Sequence, residues 1–407
     1  MNKDKYIIRE LAKKYSELAC GDEQQKMNKR MKDTNDLKLV RPPVLIDEIP
    51  WYQMDIDGDL RLECENKRVR GVEEWLRKAL FRRKYFKADT LFEPFYRISM
   101  MYSSSGIGIE RKAETLSTEG INDIVSYSFE DLLEDEANLE RIKIPTFTAY
   151  PDVDKEAFEF YSDLFGETLP VKICGIGCIY NAPWDDIIGL RGITPVLMDL
   201  YDRPEYLHDI RQRFLDILLA ELDFVDKNIK VDPTSPNMHC TPSYVSGLAE
   251  DGLKATWLRT MAQGFSDISA SMHEEFDIDY VLKVANRFAY TYYGCCEALD
   301  KKLDVLFKIP NLRKVGVSPW AKEETMAERL GNNYVYARKP NPAYVATVTD
   351  PEVVRKETVK TVELCKKYNC PVEFVLKDIS TVSNRPENLI VWSNVVSEVL
   401  DEYYGEA

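Results

Sequence analysis

Short apolar runs alternate along the chain with longer segments in which apolar residues recur every three or four positions. The short runs end at Pro, Gly or charged residues, as buried strands do, and lie at 44–51, 89–95, 171–179, 264–269, 290–294, 312–320, 333–338 and 372–379. The longer segments carry the apolar stripe of amphipathic helices and lie at 67–87, 152–167, 203–226, 254–263, 277–288, 350–368 and 386–404. This alternation predicts an α/β protein whose parallel strands are joined by helical crossovers.

Eight or nine strands in 407 residues suit a (β/α)8 TIM barrel. Residues 41–407 are predicted to form this barrel, and residues 1–40 an N-terminal helical extension packed against it. Residues 100–150 interrupt the alternation with a Ser- and Gly-rich stretch and an acidic run. We therefore predict an insertion there, in a position to cover the mouth of the barrel.

The ends of the predicted strands carry most of the chemically useful side chains. In a TIM barrel the carboxyl ends of the strands meet at one rim, where active sites are built. The rim residues are Asp47, Glu48, Glu93, Tyr180, Cys295, Cys296, Glu297, Trp320, Lys339 and Asp378. Neighbouring residues on a strand face opposite sides, so one of Asp47 and Glu48 and one of Lys377 and Asp378 faces the interior. We predict that Glu48 and Asp378 do.

Two adjacent thiols and a carboxylate follow the aromatic strand at 290–293 and its glycine. They are Cys295, Cys296 and Glu297. Residues of these types can bind a soft metal or activate a thiolate. The alternative is that one cysteine packs in the core and the pair has no function.

The three histidines of the chain exclude a His-rich metal site. His239 lies next to Cys240 in a proline-rich loop at 231–242, where it is either a metal ligand or the cap of a turn. His273 is either a ligand or part of the N-terminal cap of the following helix.

Composition narrows the possible classes of function. A net charge of −15 and the lack of a basic patch with interleaved aromatics argue against nucleic-acid binding. The sequence has no signal-peptide core and no apolar run of transmembrane length, so no membrane association is expected. Nine irregularly spaced cysteines do not suit a secreted disulfide framework. We predict a cytoplasmic protein in a reducing, anaerobic environment.

The order of the strand ends resembles that of the uroporphyrinogen decarboxylase superfamily, over roughly residues 40–405. The resemblance rests on 41–50 (RPPVLIDEIP), 269–276, 293–297 (YGCCE), 317–320 (VSPW), 339–342 (KPNP), and Asp378 followed by 386–388 (PEN). Within the superfamily the chain looks like the corrinoid-dependent methyltransferases. Uroporphyrinogen decarboxylases open with an Arg-rich segment that binds a polycarboxylate, whereas this chain has Asp47 and Glu48 there, which would repel one.

The resemblance implies zinc, but with changed ligands. Related methanol- and thiol-type methyltransferases bind zinc through His-x-Cys at one strand end and a later Cys. This chain has no histidine in 293–297 and has Lys377 and Asp378 at the later position. A rearranged zinc site with ligands from Cys295, Cys296, Glu297, His239 and His273 is the prediction, since these are acceptable ligand types. In this respect the chain resembles the aromatic-ether demethylating enzymes of the branch.

The function implied is methyl transfer from a small methylated donor, a methoxylated aromatic, to the cobalt of cobalamin (a corrinoid) carried by a partner protein. Glu48, Glu297 and Asp378 are the predicted catalytic residues. The predicted substrate-binding residues are Trp51, Tyr96, Tyr180, Trp184, Trp320 and Lys339, each of the aromatics having core packing as its alternative.

Two other functions stay open at this point. One is a metal-independent decarboxylase or lyase that acts on a small acid on the same barrel. The other is a corrinoid- or tetrapyrrole-binding accessory protein without catalytic activity. Zinc content separates the first from a methyltransferase, and methyl transfer to free cobalamin separates the second.

Overall fold

A curled sheet of parallel strands forms the centre of the computed structural model, which describes residues 2–116, 126–235 and 238–405. The strands are β1 (Val44–Ile46), β2 (Tyr96–Ser99), β3 (Tyr102–Ser104), β4 (Ala113–Leu116), β5 (Ser126–Phe129), β6 (Phe147–Ala149), β7 (Val171–Cys174), β8 (Cys178–Asn181), β9 (Trp257–Thr260), β10 (Tyr290–Tyr293), β11 (Leu312–Val317), β12 (Val335–Arg338) and β13 (Val372–Leu376). The helices are α1 (Asn2–Cys20), α2 (Asp22–Asn35), α3 (Lys67–Tyr85), α4 (Pro151–Phe165), α5 (Pro183–Arg191), α6 (Ile193–Asp202), α7 (Pro204–Asn228), α8 (Ala270–His273), α9 (Asp279–Ala285), α10 (Leu303–Leu306), α11 (Glu323–Leu330), α12 (Ala343–Ala346), α13 (Pro351–Lys367) and α14 (Glu387–Tyr404).

Seven strands make one parallel sheet in the order β1-β13-β12-β11-β10-β9-β8. β2 pairs in parallel with β7 in a separate two-stranded sheet. The α/β class and the parallel sheet are therefore confirmed. The closed eight-stranded barrel is not, because no ladder of the described residues joins the edge strands β1 and β8 or connects either of them to β2.

The sheet is open beside the strand predicted at 171–179, where the segment around Val231 lies against it. The strand predicted at 171–179 is split into β7 and β8, and Ile176 between them bridges to Val231. A Cβ on Gly175 would lie 1.9 Å from the Lys230 carbonyl oxygen, and one on Gly177 equally close to Ser235. Only glycine at positions 175 and 177 allows these two segments of the backbone to approach so closely.

The loop after this crossing fills the inside of the curled sheet. Met238 and Val245 pack with Trp257, whose indole N–H donates to the Ser243 carbonyl at 3.0 Å. Cys240 packs against interior-facing apolar residues of β1 and β13. The open sheet thus gains a core from a loop, where a closed barrel would use side chains of its own strands.

The N-terminal extension is helical, as predicted, and is part of the core. α1 packs on α3 and α4 through Ile8, Ala12 and Tyr15. The buried Asp4 accepts hydrogen bonds from the backbone amides of Glu65 and Asn66. Burying this apolar face stabilises the extension against the rest of the chain.

The break predicted at 100–150 contains two antiparallel strand pairs, β3 with β6 and β4 with β5. Buried residues of this insertion, such as Leu132 and Leu133, pack in a core with Trp184 and Ile187 of α5. Because α5 follows β8 directly, the insertion lies beside the carboxyl end of the sheet.

Three predicted elements are wrong. The helix predicted at 254–263 is mainly strand β9, and 264–269 is not a strand. The strand predicted at 89–95 is instead β2, a few residues later. Residues 257–260 are buried on both faces, and a short apolar run of this kind has no period that separates helix from strand. Among the described residues, no helix has the length and apolarity needed to cross a membrane.

Candidate active site

Four residues at the carboxyl end of the sheet have left-handed backbone. Glu48 follows β1 (φ 50°), Asp378 follows β13 (φ 57°), and His239 and Cys240 lie in the interior loop (φ 45° and 63°). Residues other than glycine seldom adopt this conformation, and such strain concentrates at functional sites. The sharp turns bring the four side chains together. We call these four residues, with Cys295, Cys296 and Lys377, the rim cluster.

Glu48, His239 and Cys240 form a group with the ligand types of a metal site. One ligand atom from each lies within 4.8 Å of the other two, and the Cys240 thiol donates to Glu48 Oε1 at 3.7 Å. Within the described ranges, no other three His, Cys, Asp or Glu residues meet this criterion. A nitrogen, a sulfur and an oxygen ligand that leave a fourth position open are the donor set of a catalytic zinc site. The residues therefore fit zinc.

Lys377 links the rest of the rim cluster. Its ammonium nitrogen lies 3.4 Å from Glu48 Oε2, 3.0 Å from Asp378 Oδ1 and 3.4 Å from Cys295 Sγ. The Asp378 amide donates to Glu48 Oε2 at 2.8 Å. A nearly buried ammonium thus holds two carboxylates and a thiol in place, as paired buried charges must be held.

The two adjacent thiols have opposite electrostatic environments. The Sγ atoms of Cys295 and Cys296 are 3.6 Å apart, and the Cys296 thiol donates to Asp378 Oδ2 at 3.0 Å. The neighbouring Cys296 is the main cause that lowers the pKa of Cys295, and His239, Arg259 and Lys377 lower it further against the effect of burial. The pKa of Cys296 is raised, first by Cys295 and then by burial, and Asp378 raises it further. Cys295 is therefore the thiolate of the pair.

Burial and neighbouring anions act in opposite directions on the pKa of Lys377. Burial disfavours its ammonium form, but Cys295, Asp378, Cys296 and Glu48 outweigh burial and raise the pKa of Lys377. The pKa of Cys240 is raised, first by burial and then by Asp47 and Glu48. Without a bound metal ion Cys240 is a thiol, and a bound metal ion would deprotonate it.

Glu297 shapes the loop and does not face the rim. It is fully buried, and its carboxylate accepts hydrogen bonds from the Cys295 amide at 2.7 Å and the Ala262 amide at 3.4 Å. Gly294 has a φ of 92°, and a Cβ on Gly316 would lie 2.8 Å from the Gly294 carbonyl group. The thiol pair thus depends on glycine at two adjacent strand ends.

A surface cleft of about 700 Å³ opens beside Glu48 and Asp378. Trp51 forms part of its wall, with the Lys78 ammonium 5.3 Å from the ring centroid. Tyr180 is 49% exposed, and its ring lies 5.2 Å from that of His239. The cleft gives solvent access to the rim cluster.

The other predicted site residues lie elsewhere. Trp184 is buried in the core beneath the insertion, and Tyr96 packs on Trp75 among the helices. His273 lies on the helix side of the sheet, where its Nε2 is 2.6 Å from the Tyr293 hydroxyl oxygen. Burial lowers the pKa of His273 to about 3. Trp320 is exposed, and Lys339 is buried in the interior of the sheet. The structure does not bring His273, Trp184 or Tyr96 to the rim cluster.

Lys377 and Arg259 are two site residues that the sequence analysis did not assign to the site. The alternation of side chains along β13 favoured Asp378 over Lys377, yet the left-handed turn at Asp378 brings both into the cluster. Arg259 was hidden in a segment predicted to be helical, although a lone charge within the apolar run WLRT is itself a signal of a buried polar role.

Comparison with known proteins finds a likeness of fold only. No protein-family model matches the sequence, and no curated protein is similar to it. Among solved structures, a methyltransferase from Methanosarcina mazei has a similar fold, with a TM-score of 0.51 and 12% sequence identity. The alignment covers 93% of this chain and 99% of the other. At this identity the likeness shows the shared fold.

Proposed function

We propose that the protein is a methyltransferase that moves a methyl group from a small methylated donor, a methoxylated aromatic, to the cobalt of a corrinoid on a partner protein. The group formed by Glu48, His239 and Cys240 carries the proposal, because it offers three zinc ligands at the carboxyl end of the sheet. The similar fold of a methyltransferase supports it.

Zinc would be held by Glu48, His239 and Cys240, and when bound it would act as a Lewis acid toward the donor oxygen. This set shares His239 with the ligands predicted from sequence. It leaves out Cys295, Cys296, Glu297 and His273 and adds Cys240 and Glu48, which follows β1.

Lys377 stabilises the departing oxygen. In the reaction the cobalt(I) electron pair forms the bond to the methyl carbon, the C–O bond breaks, and its electron pair stays on the oxygen. The Lys377 ammonium is protonated and preorganised by Glu48, Asp378 and Cys295, so it can donate a hydrogen bond to that oxygen. Asp378 and Glu48 orient this lysine.

Metal content tests the proposal directly. We expect about one zinc per chain in the wild type. Glu48→Gln, His239→Ala and Cys240→Ser should each weaken zinc binding by at least about tenfold, measured by competition with a chelator. Cys20→Ser, at an exposed thiol in α1, is the matched control and should keep the wild-type zinc content.

Activity is tested with cob(I)alamin and 1,2-dimethoxybenzene, by following the loss of cob(I)alamin absorbance and the formation of the phenol. The proposal fails if purified protein with zinc transfers no methyl group to cobalamin or to a corrinoid protein from any methoxylated aromatic. If zinc persists in Cys240→Ser and is lost in Cys295→Ser, the ligands are those predicted from sequence.

One observation favours a second function, a metal-independent decarboxylase or lyase. The Lys377 ammonium already compensates the negative charges of Glu48, Asp378 and Cys295 without a metal ion. An ammonium in that place can bind a carboxylate and supply a proton. Purified protein with no zinc, and with turnover that is unaffected by chelators, would support this alternative.

A further inference from the structure

Two adjacent cysteines after β10 place their sulfur atoms side by side. The Sγ atoms of Cys295 and Cys296 are 3.6 Å apart. Neighbouring residues face opposite sides of a strand and do not face each other on a helix, so regular structure keeps adjacent thiols apart. Here the chain bends after Gly294, whose φ is 92°, and the two cysteines belong to neither a helix nor a strand. The bend therefore brings the sulfurs together.

Neither thiol is a ligand of the proposed zinc site, yet both have partners in the rim cluster. The Lys377 ammonium lies 3.4 Å from Cys295 Sγ, and the Cys296 thiol donates to Asp378 Oδ2 at 3.0 Å. The ammonium stabilises negative charge on Cys295, and a thiolate is the nucleophilic form of cysteine. Asp378 can accept the proton of Cys296. One sulfur is thus prepared to attack and the other to lose a proton.

The two thiols differ in their access to solvent. Cys296 is partly exposed, and its partner Asp378 lines the surface cleft of about 700 Å³. Cys295 is 1% exposed and packs with Ala182 and Met261. An electrophile that reaches Cys295 from the cleft must therefore be small. Hydrogen peroxide, which is little larger than water, meets this limit.

We propose that Cys295 and Cys296 are a site of reversible covalent modification, where a peroxide oxidises the two thiols to a disulfide and so removes the thiolate that holds Lys377. The inference goes beyond the proposed function. Methyl transfer and the alternative lyase chemistry both use Lys377, so oxidation would lower either activity.

The oxidation takes place in two steps. The Cys295 thiolate attacks one oxygen of the peroxide, the O–O bond breaks, and the departing hydroxide takes up a proton from solvent. Cys295 is then a sulfenic acid. The Cys296 sulfur attacks the sulfur of Cys295 as its proton passes to Asp378, the S–O bond breaks, and the departing hydroxide takes up that proton. The two sulfurs lose two electrons, and the peroxide gains them and ends as two waters.

The product is a disulfide that forms with little movement and is easily reduced. Each sulfur moves by less than about 1 Å from the 3.6 Å contact to reach bonding distance. The Cα atoms of adjacent residues are about 3.8 Å apart, closer than the roughly 4.4–6.8 Å of ordinary disulfides. Such a bond is strained, and strained disulfides are the labile ones. A thiol reductant should therefore reverse the modification.

Oxidation changes the partners of Lys377 and Asp378. A disulfide carries neither charge nor an S–H group, so Lys377 loses the thiolate of Cys295 and Asp378 loses the proton donor Cys296. Within the rim cluster, the ammonium is then held by Glu48 and Asp378 only. Because a hydrogen-bond donor acts only when it is correctly placed, we expect the oxidised protein to lose at least about tenfold in turnover.

Peptide mapping of the full chain tests the modification. Reduced protein, freed of reductant, is treated with a stoichiometric amount of hydrogen peroxide, alkylated and digested with trypsin. The tryptic peptide 288–301 contains both cysteines. It should lose the mass of two hydrogens and escape alkylation. Dithiothreitol should restore both thiols and the lost turnover.

Two serine variants separate the roles of the sulfurs. In Cys296→Ser the reaction should stop at the sulfenic acid of Cys295, which dimedone traps. In Cys295→Ser the thiolate beside Lys377 is gone, and Cys296 should be oxidised no faster than the exposed thiol of Cys20. Cys20→Ser is the control and should form the disulfide as the wild type does.

Three results would overturn the inference. They are oxidation of Cys20 while peptide 288–301 stays reduced, a sulfinic acid in place of the disulfide, and a disulfide that leaves turnover unchanged. The mapping needs no methyl donor, zinc or corrinoid, so the two proposals fail separately. A disulfide in a protein that transfers no methyl group overturns the proposed function alone. Methyl transfer by a protein whose thiol pair resists peroxide overturns the modification site alone.

Discussion

Replacing Lys377 with methionine removes the one cation that touches both carboxylates and the thiolate of the rim cluster. Methionine keeps the length and apolar stem of the side chain, so the change is mainly one of charge. In the wild type the ammonium lies 3.4 Å from Cys295 Sγ and is almost fully buried. The thiolate therefore loses its nearest positive charge.

The size of the effect follows from that distance. Two unit charges 3.4 Å apart interact with about 5 kcal/mol at an effective dielectric constant of about 20. This figure is the contribution of Lys377 alone, since Arg259 and the neighbouring Cys296 thiol continue to stabilise the thiolate. It corresponds to an increase in the pKa of Cys295 of at most about 3 to 4.

The assay is the ultraviolet absorbance of thiolate as a function of pH, measured on zinc-free protein. The chain has nine cysteines, so the contribution of Cys295 is taken as the difference from Cys295→Ala in the same background. In the wild type this signal should be present already at about pH 5, and in Lys377→Met it should appear at a higher pH. Lys367→Met, at an exposed ion pair with Glu324, is the control.

Two results would refute this reasoning. If the Cys295 signal of the wild type appears only near the pH of an ordinary thiol, the cluster does not stabilise a thiolate. If Lys377→Met and the wild type titrate together while Arg259→Gln differs from both, the stabilising charge is Arg259 and the role given to Lys377 is wrong.

Three further predictions concern the support of the site. Glu373→Gln leaves Lys314 buried without a carboxylate and should lower the free energy of unfolding by about 3–5 kcal/mol, measured in urea; an unchanged midpoint would contradict the pairing. Trp184→Ala should cost about 3–5 kcal/mol through the cavity it leaves, yet keep the wild-type zinc content, because Trp184 lies in the core. Gly316→Ala should displace the Gly294 carbonyl and slow methyl transfer with zinc retained; wild-type turnover in this variant would show that the loop tolerates the shift.

Much of the fold follows from periodicity. Long amphipathic segments such as α7 and α13 form where the apolar stripe predicts them, because a helix needs only one buried face. The strand at 257–260 does not, because its residues are buried on both faces and carry no period. The open edge of the sheet was equally hidden, since it depends on the close approach of Lys230 to Gly175.

The candidate site was predictable as a region but not as a set of contacts. The strand ends placed Glu48, Cys295 and Asp378 at one rim, and the structure brings them together. The interior position of Cys240 was not predictable, because no local pattern tells that a proline-rich loop enters the sheet. Strand alternation also fails at Asp378, where the left-handed turn lets this residue and Lys377 point to the same place.

The charged groups of the interior form two levels of opposite sign. At the rim, Glu48, Asp378 and the Cys295 thiolate surround one ammonium, so this level favours a further cation such as a metal ion. One layer below, Arg259 and Lys339 form no ion pair among the described residues, so their positive charge acts on the Cys295 thiolate of the rim.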